Sequence, residues 1–199
     1  MVPARNHFEV FELPVRYALD RAQLEERYRE RSRHWHPDRF SRAPAAERAA
    51  VLARATDLNE AYRVLRSDAR RAQYLLQLHG IDVTREGPGS KLKVEPAFLM
   101  AILELREELA EARQTHDAAR LASLAATVKA RMGELERTLS DGFARLEGAT
   151  DGPQDRERRA ELLGELTQAV LAQRYYQRFC DELAEYKEAQ AERAASPLL

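Results

Sequence analysis

Apolar residues recur at helical spacing along most of this chain. Between Asp20 and Trp35 the residues Leu24, Tyr28 and Trp35 fall on one face, and Asp20 followed by Gln23 forms a capping pair at the start. Pro37 ends that helix. A proline lacks an amide hydrogen and biases the residue before it away from helical angles, so His36 is expected to leave the helix and project with Asp38 from a loop. Val51, Ala55, Leu58, Tyr62 and Leu65 then share one face at spacings of four and three, which predicts a second helix packed on Leu24, Tyr28 and Trp35. The pair reads as an antiparallel hairpin with a polar tip, followed by a helical run from Arg70 to His79 that Gly80 closes.

Gly87-Pro-Gly-Ser90 interrupts the pattern and Pro96 opens the next helix, dividing the chain into residues 1–80, a linker over 81–95, and residues 96–199. Three helical segments follow, over roughly 96–115, 118–147 and 155–193, with Gly148 and Gly152-Pro153 between the last two. Leu121, Leu124, Val128, Met132, Leu135, Leu139 and Leu146 form one stripe. Leu162, Leu166, Ala169, Tyr176, Phe179, Leu183 and Tyr186 form another. The expected fold is all-α, an N-terminal helical hairpin domain plus a C-terminal three-helix bundle.

The first helix of that bundle has more apolar surface than one core needs. With about 100° per residue, Phe98, Ile102, Leu105, Leu109 and Ala112 lie within roughly 40° of a common direction, whereas Leu99, Leu103 and Met100 fall about 100°, 140° and 160° away. Glu107 and Glu111 lie among these three and Glu104 nearby. A second bundle neighbour can absorb Leu99, and the N-terminal domain packing there is another structural explanation. The functional explanation is a partner surface, since a few apolar anchors rimmed by charge dominate protein interfaces.

Composition narrows the function classes. The 199 residues are 44% hydrophobic and 33% charged, ordinary for amphipathic helices. No apolar run approaches the length of a membrane span and the N-terminus lacks a secretion pattern, so neither membrane insertion nor export is expected. Cys180 is the single cysteine, which excludes an intramolecular disulfide and a thiolate-only metal cage. The net charge of −1 conceals an asymmetry. Residues 1–80 hold 15 Lys/Arg against 11 Asp/Glu, and residues 81–199 hold 17 against 22, giving +4 and −5. Different electrostatic partners for the two halves are implied, but not nucleic acid, for which the surface is insufficiently basic.

Taken together, Phe8-Glu-Val-Phe-Glu-Leu-Pro14, Leu24-x3-Tyr28, His36-Pro-Asp-Arg-Phe40, Asn59-Glu-Ala-Tyr62 and Arg71-Ala-Gln-Tyr-Leu-Leu-Gln-Leu-His-Gly80 resemble a J-domain. The last of these and Phe98-Leu-Met-x2-Leu-Glu-Leu-Arg-Glu-Glu-Leu109 resemble the HscB-type co-chaperones of iron–sulfur cluster biogenesis. The resemblance implies two partners: a DnaK/HscA-type ATPase chaperone, whose own hydrolysis the co-chaperone stimulates, and an iron–sulfur cluster scaffold protein. It implies a chaperone-binding set of His36, Pro37, Asp38, Arg29, Arg33 and Arg39, in which Asp38 offers an acceptor to a partner arginine and Arg29 and Arg33 lie opposite Leu24 and Tyr28. It further implies a scaffold-binding set of Leu99, Met100, Leu103, Glu104, Glu107, Glu111 and Tyr175. No catalytic residue, metal site or cofactor of its own is expected, and the cytoplasm is the expected compartment.

The chain departs from the family at Arg31, where relatives usually carry an apolar residue. Its stem can cover the core while its head reaches solvent, or the helix is rotated. Two other functions compete. His34-x-His36-x-Asp38 has the spacing of a metallo-hydrolase triplet, but His7, His79 and His116 are scattered and no glycine-rich α/β pattern surrounds it. A general protein-folding J-protein is the nearer alternative, without support from a glycine/phenylalanine-rich region or a cysteine-rich zinc module.

Overall fold

The computed structural model describes residues 6–84, 92, 94–148 and 153–195. Its helices are α1 (His7–Val10), α2 (Arg21–His34), α3 (Ala45–Leu65), α4 (Asp68–Leu78), α5 (Pro96–Gln114), α6 (Ala118–Glu147) and α7 (Pro153–Ala195), with a short 3₁₀ turn over Pro37–Phe40. No strand occurs among the described residues, and the fold is all-α. Two compact units separate at Ile81 and Asp82. The interrupting Gly87–Ser90 and Gly152 lie outside the described residues.

Capping explains most helix boundaries. The Asp20 carboxylate accepts from the amides of Ala22 and Gln23 at the start of α2, Ser67 accepts from Arg70 N at α4, and Asp117 accepts from Arg120 N at α6. Three helices end in the same pair of backbone bonds around a residue with positive φ. Gly80 (φ 82°) closes α4, with Gly80 N donating to Gln77 O and Ile81 N to Leu76 O. His116 (φ 53°) occupies that position after α5, where His116 N donates to Arg113 O and Asp117 N to Ala112 O. Glu12 (φ 52°) occupies it after α1, where Glu12 N donates to Glu9 O and Leu13 N to Phe8 O. Left-handed backbone costs a side-chain-bearing residue about 1–2 kcal/mol, and both sites are held by neighbours. The His116 ring bonds Tyr186 Oη at 2.9 Å. Glu12 is held by two arginines of α2.

In the first unit α2 and α3 form the expected hairpin. Leu24, Val51, Leu58 and Leu65 are buried, while Tyr28 stacks on Tyr62 with centroids 3.9 Å apart and donates to Asn59 Oδ1. Sequence periodicity did not anticipate α1, too short for a pattern, yet Phe8, Phe11, Leu13 and Tyr17 of this segment are buried. Buried Arg71 crosses the unit, donating to Leu65 O, pairing with Asp68 and lying over the Tyr17 ring.

The second unit is a three-helix bundle. Ile102, Leu109 and Ala112 of α5 pack with Leu121, Leu124 and Val128 of α6 and with Tyr176, Phe179 and Leu183 of α7. Helices α6 and α7 approach closely at Gly142, where a Cβ would stand 2.7 Å from Leu166 Cδ2. Arg113 donates to Glu182 O and lies over the Tyr186 ring, fastening the end of α5 to α7. Val83, inside the stretch read as linker, is buried and its carbonyl accepts from Arg174 of α7.

Candidate functional site

The tip of the first unit is built by the end of α2. His36 takes up extended backbone (φ −68°, ψ 126°), as proline at the next position demands, and Pro37 then starts a 3₁₀ turn rather than an irregular loop. His36 Nδ1 accepts from Asp38 N at 3.3 Å, and the Asp38 carboxylate, 90% exposed, stands 3.5 Å from the same ring nitrogen. Arg39 reaches back to donate to Arg33 O at 3.2 Å, covering a terminal carbonyl of α2. His36, Pro37, Asp38 and Arg39 are all exposed. Of the two α2 arginines, Arg29 pairs with Glu25 one turn earlier, and Arg33 makes no ion pair with a described residue.

Arg31 does not rotate the helix. Leu24 stays buried and Tyr28 stays on α3, while the Arg31 guanidinium bonds the Glu12 carboxylate at 2.7 Å. Arg27 donates to Phe11 O at 2.6 Å and Glu12 O at 3.0 Å. Together the two arginines tie down the left-handed residue that ends α1. A polar side chain therefore replaces an apolar one because its partner, Glu12, lies on another element, which single-helix periodicity cannot reveal.

On α5 the wheel separates two faces. Ile102, Leu109 and Ala112 are buried, with Phe98 and Leu105 packed against them. Met100 is 58% and Leu103 52% exposed, Leu99 is half-buried, and Glu104, Glu107 and Glu111 are exposed without an ion pair to any described residue. The remaining member of the set, Tyr175, lies on α7. It is half-buried against the bundle core, its ring edge-on to Phe98 with 5.8 Å between centroids and the Arg178 guanidinium carbon 5.7 Å from its centroid. Phe98 thus bridges Tyr175 to the face of α5 that lies inward, not to Met100 and Leu103.

Burial raises the thiol pKa of Cys180, with Asp181 adding to the effect, and raises that of Tyr176. Neither is an activated nucleophile. Burial likewise lowers the pKa of His7, against the opposing pull of Glu60 and Asp57. Among the described residues no group of three His, Cys, Asp or Glu side chains is placed to hold a metal ion. His34 turns its ring edge-on to Trp35, 4.7 Å between centroids. Among the described residues no helix is long and apolar enough to cross a membrane.

Two family models match the chain in the order of its two units: the DnaJ domain over residues 6–74 and the HSCB C-terminal oligomerisation domain over residues 94–184. The co-chaperone protein HscB homolog of Bordetella pertussis is 42% identical over 138 residues, covering 69% of this chain and 78% of that protein. The crystal structure of human co-chaperone protein HscB superposes with a TM-score of 0.73 at 27% identity, over 94% of this chain and 84% of that one. The chaperone HscB from Vibrio cholerae does so with a TM-score of 0.62 at 30% identity, over 90% and 99%. With a J-domain, the HscB C-terminal domain and close co-chaperone relatives all found in one chain, this protein belongs to the HscB family of co-chaperones.

Proposed function

We propose that this co-chaperone acts in iron–sulfur protein maturation by bringing a cluster scaffold protein to a DnaK/HscA-type ATPase chaperone and stimulating that chaperone's ATPase. The observation that carries this reading is the presence, in two separate units, of an exposed His36-Pro37-Asp38 turn and an exposed Met100–Leu103 patch rimmed by carboxylates. The division proposed is a J-domain over 1–80, a linker over 81–95 and a scaffold-binding domain over 96–199.

The turn works by contact. Pro37 restricts the backbone, Asp38 presents a carboxylate to a partner arginine, and Arg29, Arg33 and Arg39 draw an acidic partner surface by charge. The chemistry of hydrolysis belongs to the chaperone's own active site. The scaffold docks on Leu99, Met100 and Leu103, with Glu104, Glu107 and Glu111 selecting a basic rim and Tyr175 contributing from α7. The cluster is cargo of the scaffold, and the work is set in the cytoplasm.

Steady-state ATPase assays of the chaperone with scaffold and wild-type, His36→Gln or Asp38→Asn protein test the reading. Both variants are expected to lose stimulation while keeping wild-type helicity and scaffold binding. A variant that stimulates as well as wild type removes the turn from this role.

A further inference from the structure

Arg54, on α3, is exposed, and its guanidinium carbon lies 4.3 Å from the centroid of the Trp35 ring. Trp35 caps the C-terminus of α2 immediately before His36 and lies nearly parallel to Phe40, at 15° with 6.4 Å between centroids. Trp35 and Phe40 therefore bracket the segment from His36 to Arg39. That segment buries no side chain, and its own bonds, Asp38 N to His36 Nδ1 and Arg39 to Arg33 O, run back to itself or to the end of α2. None of these hydrogen bonds reaches α3, although the 3₁₀ turn itself packs on that helix. The neighbouring link to α3, from Arg48 to Ala43 O at 2.8 Å, is attached beyond Phe40.

We infer that Arg54 is a positioning residue for the His36-Pro37-Asp38 turn: through the Trp35 ring it fixes the direction in which His36 and Asp38 face the ATPase chaperone, without touching that chaperone itself. The inference rests on the contact role proposed for the turn. A flat guanidinium over an indole suits the task, because it combines charge–quadrupole attraction with stacking and so restrains the ring's tilt, which a lysine ammonium does less well. Docking strength is assigned to the arginine face of α2. Loss of the clamp therefore acts on the stimulation reached at saturation more than on the concentration needed to reach it.

Trp35 is the single tryptophan of the chain, so its fluorescence reads the clamp directly. Arg54→Gln is expected to increase acrylamide quenching of Trp35 in the full-length protein, with its melting temperature lowered by no more than a few degrees and its helicity unchanged. It is also expected to lower maximal ATPase stimulation about two- to fivefold, the factor equivalent to an exposed cation–π contact of about 0.5–1 kcal/mol. In a Trp35→Leu background the same substitution should add no further loss, because both act through one contact. A loss that multiplies in that background, or one that appears only in the half-saturating concentration and vanishes at high salt, identifies Arg54 as a direct charge contact and overturns the inference. Should Trp35→Leu fail to fold, Arg54→Lys decides: full stimulation by that variant shows that charge alone suffices and overturns the inference equally. Wild-type protein that stimulates no DnaK-type ATPase refutes the parent reading instead, whatever Trp35 reports.

Discussion

Alanine substitution of Leu99, Met100 and Leu103 on one side of α5, and of Ile102, Leu105 and Leu109 on the other, is expected to separate binding from folding within a single helix. Met100 and Leu103 leave about half their surface in solvent (58% and 52%), whereas Ile102 and Leu109 are 4% and 1% exposed. Burying such a side chain fully is worth about 1.5–3 kcal/mol, so truncating a half-covered one forfeits about 1 kcal/mol, partly offset by the higher helix propensity of alanine. Replacing the surface triplet with alanine therefore costs about 2–3 kcal/mol of stability at most. Truncating Ile102 and Leu109 opens cavities at about 2–5 kcal/mol each, which rivals the whole stability of a small domain. Partner docking covers the exposed halves of Met100 and Leu103, about 1.5–3 kcal/mol together, so loss of the surface triplet is expected to weaken scaffold binding at least about tenfold, equivalent to about 1.4 kcal/mol. Calorimetric titration with the scaffold protein and thermal melts measure both quantities, and the J-domain's basal stimulation of ATPase should persist. The reasoning is refuted if the surface triplet binds normally, or if it melts as low as the core triplet.

Replacing Arg29, Arg33 and Arg39 together with alanine is expected to weaken chaperone binding several-fold and flatten its salt dependence, with Arg33 contributing most because Arg29 is already paired with Glu25; unchanged affinity at low salt would return them to ordinary solvated surface. The depressed pKa of His7 makes the first unit's stability fall on acidification. The unfolded chain takes up the proton near pH 6.5 and the folded one only at lower pH, so stability present above pH 6.5 is lost as pH drops toward the folded value. Chemical denaturation from pH 7.5 to 5.5 should show a shallower loss for His7→Gln than for wild type, and identical slopes would count against the half-buried imidazole.

The long helices were legible because each buries one continuous stripe, and the caps Asp20 and Gly80 are local signals. The rest depended on contacts between elements. Helix α1 spans a single turn, so Phe8, Phe11 and Leu13 produced no periodicity despite being buried. Arg31 looked anomalous because Glu12 was not known to face it. Arg54 stands three residues after Val51 and four before Leu58, at the edge of the apolar stripe of α3. An arginine there is a hint of a ring to cover, but which ring depends on how α2 ends. The α5 face was the most readable part of the candidate site, since a surplus of apolar residues on one helix shows in the sequence alone. Tyr175 was the least readable, being fixed by its contact with Phe98 on another helix.

Charge illustrates how structure sharpens a composition argument. Ion pairing removes equal numbers of each sign, so it leaves a unit's net charge unchanged but decides where the surplus lies. In the first unit Arg21 and Arg71 pair with Asp68, Arg31 pairs with Glu12, and Arg63 pairs with Glu60. These arginines are engaged in holding α1 to α2, α2 to α4 and the helices to themselves, whereas Arg33, close to the turn, pairs with no described residue. In the second unit Arg106 pairs with Glu182, Arg120 with Glu108 and Arg131 with Glu134. What remains negative on α5 is Glu104, Glu107 and Glu111, around Met100 and Leu103. Each proposed contact surface thus carries charge of the same sign as the excess of its half, +4 and −5. Under the proposed function, charge of opposite sign on the two units draws an acidic chaperone surface to one and a basic scaffold surface to the other, so the two partners are sorted to different sites by the same electrostatic rule.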